Sequence, residues 1–208
     1  MKVVVTAIVG LALLLGPWVA APARAGAPLE QLRGQIERVL KIVDDPEMKK
    51  GSQSQQRRTA VRKVADDIFD FQETAKRSLA RHWQPRSPAE QAEFVRLFAD
   101  LLERSYISKI ELYGGEKIAY LGDALDGDQA LVRTRIVTKS GTEVPVDYRM
   151  LKRAERWLVY DVIIEGVSLV ANYRTQFNKI IQTSSYAELV RKMKVKQDEF
   201  IEATTKRS

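Results

Sequence analysis

The sequence predicts one α+β domain, with helices packed on one face of a four-stranded antiparallel sheet. Three observations predict it. Apolar residues recur at the helical spacing of about 3.6 as far as Gly114-Gly115, then switch to alternation. The alternating segments are separated by Asp126-Gly127 and Ser140-Gly141, which carry the chemistry of tight antiparallel turns. After Gly166 the helical spacing returns, so helices and strands are segregated along the chain rather than interleaved.

The first 25 of the 208 residues stand apart from this pattern. Met1-Lys2 is a short basic start, Val3 to Leu15 is apolar, Gly16-Pro17 breaks the run, and Ala23-Arg24-Ala25 has small residues at a cleavage spacing. That is the layout of a secretory signal peptide cut after Ala25. The apolar run is too short to span a hydrocarbon core of roughly 30 Å, which sets a membrane anchor aside. No cysteine follows the cut, so lipid attachment there is excluded. Residues 26–208 then form a single domain, and losing Lys2 and Arg24 lowers the net charge from +7 to +5.

That surplus is spread along the chain among acidic residues, with no basic stripe to bind nucleic acid. The absence of cysteine rules out disulfides and thiol nucleophiles. With His82 the only histidine, a structural zinc site of His and Cys is unavailable, and no metal or cofactor is expected. Export without disulfides points to the bacterial periplasm.

The elements follow in order. Leu29, Leu32, Ile36, Val39, Leu40 and Val43 mark a first helix, ended by Asp44-Asp45-Pro46. After a polar break at 51–56, Val61, Val64, Ile68, Phe71, Ala75 and Leu79 mark a second, running to Gln84-Pro85. Ser87-Pro88-Ala89-Glu90 then reads as a capping box with proline at the first helical position, opening a helix that carries Phe94, Leu97, Phe98, Leu101, Leu102 and Ile107. Strands are expected at 117–121, 130–138, 142–151 and 157–165. Val132, Thr134 and Ile136 share one face with Val144, Val146, Tyr148 and Met150 and with Leu158, Tyr160, Val162 and Ile164. Arg133, Arg135, Asp147, Arg149, Asp161 and Glu165 take the other, so one face is buried and one wet. A helix follows Gly166, and Ser185-Tyr186-Ala187-Glu188 caps a last one.

No catalytic set stands out. Asp66, Asp70 and Glu73 are read as a solvated face, with Arg62 four residues before Asp66 and Arg77 four after Glu73. Tyr160 and Asp161 are adjacent in a strand, so alternation sends them to opposite faces and Asp161 outward. His82 is read as a helix-end packing residue, Ser168 has no histidine nearby, and the basic run 191–196 is read as the outer face of the last helix.

Several stretches resemble the MlaC/toluene-tolerance family. The most specific is Trp157-x-x-Tyr160-Asp161-Val162-Ile163-x-Glu165-Gly166-Val167-Ser168-Leu169. Phe69-Asp70-Phe71, Ser87-Pro88-Ala89-Glu90-Gln91 and Tyr113-x-Gly115 support it, and the resemblance spans nearly all of 28–200. It implies an NTF2-like cone with a deep apolar cavity between helices and sheet. It also implies a monomeric periplasmic carrier that takes a phospholipid as cargo and uses no cofactor. Its implied partners are an inner-membrane ABC transporter complex with an MCE-domain ring and an outer-membrane lipoprotein–porin complex. Face parity together with the family's motif stretches nominates Phe69, Phe71, Phe98, Tyr106, Val146, Tyr148, Val162, Ile164, Val167, Val170 and Phe177 as the lipid-contacting wall. Two positions apart on one helix, Phe69 and Phe71 are not expected to face the same point. The competing readings are a carrier of another apolar lipid such as a hopanoid, an NTF2-like enzyme, and an adaptor with a filled core.

Overall fold

The computed structural model describes residues 26–111 and 113–205, so the signal peptide assigned to 1–25 lies outside the described residues. Four helices come first: α1 (Ala27–Asp44), α2 (Ser54–Ile68), α3 (Phe71–Leu79) and α4 (Pro88–Glu111). Five strands follow, β1 (Lys117–Asp126), β2 (Gln129–Val137), β3 (Glu143–Arg153), β4 (Arg156–Ile164) and β5 (Val167–Ser168), and then α5 (Leu169–Thr183) and α6 (Tyr186–Thr205). Each strand pairs antiparallel with the next in sequence, giving one sheet in the order β1-β2-β3-β4-β5.

The α+β class is as the sequence predicts, but the sheet has five strands rather than four. Glu165 and Gly166 both adopt positive φ, 50° and 81°. A two-residue turn of that hand matches the strand twist, so Val167 and Ser168 return alongside Ile164 and Ile163 before α5 begins. β1 is also longer than expected. Gly122, at φ 134°, lets the strand bulge past Leu121 and continue to Asp126.

The helix expected over Val61 to Leu79 is in fact two helices. Phe69 is extended, with φ −98° and ψ 140°, and bridges Val159 of β4. The Asp70 backbone N–H donates to Val159 O at 2.9 Å, and the Asp70 carboxylate caps α3 by accepting from Glu73 N at 2.9 Å. The break therefore covers part of the free edge of β4. Arg62–Asp66 (3.4 Å) and Arg77–Glu73 (2.8 Å) pair as their spacing suggests, and Arg153 adds contacts to Asp70 and Glu73 at 2.9 and 3.3 Å.

Helix starts are strongly specified. Ser87 N donates to Glu90 Oε2 (2.8 Å) while Glu90 N donates to Ser87 Oγ (3.3 Å), the reciprocal bonds of a capping box. At α1 the cap comes from far away: Asp123 of β1 accepts from Gly26 N (3.0 Å) and Leu29 N (3.4 Å). Gln31 then exchanges two hydrogen bonds with the Trp157 backbone, at 2.6 and 2.9 Å, docking α1 on β4.

Burial falls into two main clusters. Leu29 and Leu32 of α1, Val64 and Ile68 of α2, and Ala130, Val132, Met150, Trp157 and Val159 of the sheet form one. Ala75, Leu79, Phe94, Leu97, Phe98, Phe177, Leu189, Val190 and Met193, from α3 to α6, form the other with Trp83 of the α3–α4 connection, and none of its buried residues lies on a strand. The inner face of the sheet is covered unevenly. Its residues in the first cluster are buried, whereas Ile118, Ile136, Val144, Tyr148, Val162 and Ile164 stay partly open.

Candidate functional site: an apolar seam between two cores

Where the two clusters meet there is a narrow cavity of about 30 Å³. The α2–α3 junction contributes Phe69 and Thr74, α4 contributes Phe98 and Leu102, β4 contributes Tyr160, Asp161 and Val162, and α5 contributes Leu169, Val170 and Tyr173. That volume holds one or two waters at most. The resemblance implies a deep cavity here; the structure has a narrow seam in its place.

A β-bulge shapes the seam. Met150 pairs with Val159 and Arg149 with Asp161, so Tyr160 is an extra residue in β4. Strict alternation placed Leu158 and Tyr160 on the face of Val162, and the bulge overturns that. Trp157 and Val159 supply the buried residues on one side of it, while Val162 and Ile164 keep their expected face on the other. The bulge also brings Tyr160 and Asp161 to the same cavity, against the expectation that they diverge. Asp161 is 3% exposed rather than solvated.

Its surroundings show what Asp161 does. Ser168 Oγ donates to Asp161 Oδ2 at 2.6 Å, Val170 N donates to Oδ1 at 3.0 Å, and Arg149 donates to Oδ2 at 3.2 Å. Ser168 Oγ in turn accepts from Ala171 N at 3.0 Å, which caps α5. The carboxylate therefore bolts the start of α5 to β4, where the helix N-terminus favours a negative charge. With three donors on its two oxygens, it positions the seam. Tyr160 is held as firmly: Thr74 Oγ1 donates to its carbonyl at 3.0 Å, and the Arg77 guanidinium lies 4.1 Å from its ring centroid.

The predicted wall residues distribute in three ways. Phe69, Phe98, Val162 and Val170 border the seam. Val146, Tyr148 and Ile164 sit on the inner face of the sheet beside it, Val146 across from Ile164 and Tyr148 across from Val162, and Tyr106 of α4 hydrogen-bonds the seam residue Tyr173. Burial pushes the Tyr148 hydroxyl up to about 12 although its ring is partly open, and burial together with Tyr173 raises Tyr106. The remaining three lie elsewhere. Phe177 fills the helical core, 5.1 Å from Phe98 and 5.5 Å from Phe94 between ring centroids. Val167 is 58% exposed, directly after the Glu165-Gly166 turn between β4 and β5. Phe71 borders a different cavity, yet its ring stacks on Phe69 at 5.6 Å. The two rings stack across the break in the helix while bordering different cavities.

Sequence reasoning missed Thr74, Leu102, Tyr160, Asp161, Leu169 and Tyr173. Leu102, Leu169 and Tyr173 carried the helical periodicity of a core residue, which is also that of a cavity wall. Elsewhere His82 packs as read, its Nε2 3.0 Å from Asn178 Oδ1. The 191–196 run is largely solvated, with Arg191 on Glu188 at 2.7 Å and Lys194 on Glu93 at 2.7 Å.

Fold and seam define the class: an α+β fold joining an antiparallel sheet to a helical unit across an apolar seam. The chain belongs to the MlaC protein family, whose sequence model matches residues 33–195. Among curated relatives, the intermembrane phospholipid transport system binding protein MlaC of Haemophilus influenzae is 21% identical over 141 residues. That match covers 65% of this chain and 66% of the relative, just under two thirds of its length. Among solved structures, a phospholipid-binding protein from Ralstonia solanacearum in complex with a phospholipid superposes with a TM-score of 0.75 at 25% identity. The superposition covers 84% of this chain and 98% of that one.

Proposed function

We propose that this chain is a periplasmic phospholipid carrier that binds cargo without chemically changing it. The carrying observation is the seam, an apolar boundary between two separately packed cores that opens beside a half-covered apolar sheet face. Two acyl chains hold roughly 30 methylenes, and exposing them at ~0.8 kcal/mol each costs on the order of 25 kcal/mol, so a carrier must enclose both tails. A seam of about 30 Å³ is far too small, so the helical unit must part from the sheet to load. Phe69, Phe98, Val162, Val170 and Tyr173 then become the wall, with Val146, Tyr148 and Ile164 continuing it along the sheet.

In this reading the chain acts as a monomer and is exported by a signal peptide cut after Ala25. It shuttles phospholipid between an inner-membrane ABC transporter complex with an MCE-domain ring and an outer-membrane lipoprotein–porin complex, maintaining outer-membrane lipid asymmetry. The MlaC family membership and the relatives' names support lipid transport, and the occupied Asp161 carboxylate weighs against catalysis at the seam.

The test uses delipidated protein incubated with vesicles containing radiolabelled phosphatidylethanolamine, followed by separation of soluble from vesicle counts. Saturable transfer of label to the protein is expected. A protein that takes up no phospholipid but does take up a hopanoid would redirect the reading to that lipid, and one that takes up neither would overturn it.

A further inference from the structure

A second cavity lies across the α2–α3 break from the seam. It is an open groove of about 560 Å³ between α2, α3 and α4, and no strand contributes to it. That is the scale of a small-molecule site, roughly 300–1,000 Å³. Phe71 and Ala99 border the groove, while their neighbours Phe69 and Phe98 border the seam. The stacked Phe69 and Phe71 rings, 5.6 Å apart, thus form a partition one side chain thick on each side. Phe69 is extended after α2 and Phe71 opens α3, so the pair straddles the break between two helices rather than sitting inside one.

The two cations at the groove differ. Arg62 is engaged by Asp66, Asp100 and Glu103. Arg96 is exposed and has no ion-pair or hydrogen-bond partner among the described residues. A groove that sets Phe71, Trp83, Val95 and Ala99 beside polar glutamines and one uncommitted guanidinium, walled by a single aromatic pair from an apolar seam, suits an amphiphile with an anionic head.

We infer that the groove is the outer half of the lipid site. A glycerophospholipid places its phosphate at Arg96 and passes its chains between α3 and α4, past the Phe69–Phe71 pair, into the opened seam. This rests on the carrier reading above and adds the place of the headgroup and the route of entry.

The experiment measures transfer of a fluorescent phosphatidylglycerol from vesicles to delipidated protein, in three variants beside the unmodified chain. Ala92→Trp fills the groove from an exposed position on α4, Arg96→Glu reverses the free charge, and Val162→Trp fills the seam. Ala92→Trp is expected to slow uptake on the order of tenfold or more. Arg96→Glu is expected to slow it roughly threefold, the scale of one exposed ion pair, with loss of the salt dependence. Val162→Trp is expected to abolish bound lipid. If both groove variants load at the unmodified rate while Val162→Trp does not load, the groove assignment is wrong and the carrier reading stands. If the unmodified chain takes up nothing, both fall.

Discussion

Replacing Asp161 with alanine removes the acceptor of three hydrogen bonds at the point where α5 leaves the sheet. Two of them matter most: the Val170 N–H is buried, and the Ser168 hydroxyl is held at 2.6 Å. Hydrogen bonds to a charged group contribute ~1.5–3 kcal/mol each. The Arg149 side chain is nearly half exposed, so its pairing adds no more than ~0.5 kcal/mol. Against these stands the dehydration penalty of the buried carboxylate, which the substitution relieves. The balance is a destabilisation of about 3 kcal/mol, and at ~2–4 °C per kcal/mol for a domain of this size the melting temperature falls by ~6–12 °C. Asp161→Asn retains one carbonyl acceptor and loses about half as much. Urea unfolding followed by circular dichroism measures both. An Asp161→Ala protein within ~0.5 kcal/mol of the unmodified chain would refute the anchoring role.

Other outcomes follow from the same geometry. Asp123→Ala strips the remote cap from α1 and is expected to lower stability by ~1 kcal/mol, with faster amide exchange in the first turn read by mass spectrometry. The Glu90 carboxyl is held below its ordinary range chiefly by the Ser87 backbone N–H. The stability it contributes is therefore in place above that range and lost as pH falls through the lowered native value, and Glu90→Gln flattens that part of the acid unfolding curve. Burial pushes Tyr120, Tyr148 and Tyr186 up to about 12. Stability linked to them is full below their ordinary value of 10.0, declines as pH rises toward 12, and declines less steeply in Tyr148→Phe, as alkaline melting curves would record. Phe177→Ala empties a site in the helical core and is expected to cost ~3–5 kcal/mol by urea titration, whereas Val167→Ala, at an exposed turn, stays within ~0.5 kcal/mol.

What the sequence disclosed and what it concealed have physical causes. The capping box at Ser87–Glu90, the apolar stripes and the hairpin turns are local, so they were legible residue by residue. The break at Phe69–Asp70 was not, because its cause is the distant edge of β4, and the interruption leaves Ile68, Phe71, Ala75 and Leu79 in helical phase. The bulge at Tyr160 was hidden in the same way: one inserted residue in a run of apolar side chains leaves no mark in composition, yet it exchanges the faces of every residue before it. That single residue separates an exposed Asp161 from the buried anchor observed. The seam is the hardest to read, since Leu102, Leu169 and Tyr173 would show the same spacing in a filled core. Phe177, chosen as wall and found in the core, is the same ambiguity running the other way.

The most direct measurement is the lipid content of the protein purified without detergent from the periplasm of its producing cells. Solvent extraction, lipid mass spectrometry and phosphate analysis against protein concentration give identity and stoichiometry together. The carrier account predicts about one phospholipid per chain, lost in Val162→Trp while the circular dichroism spectrum is retained. A chain that carries no lipid from the cell and acquires none from vesicles would contradict it.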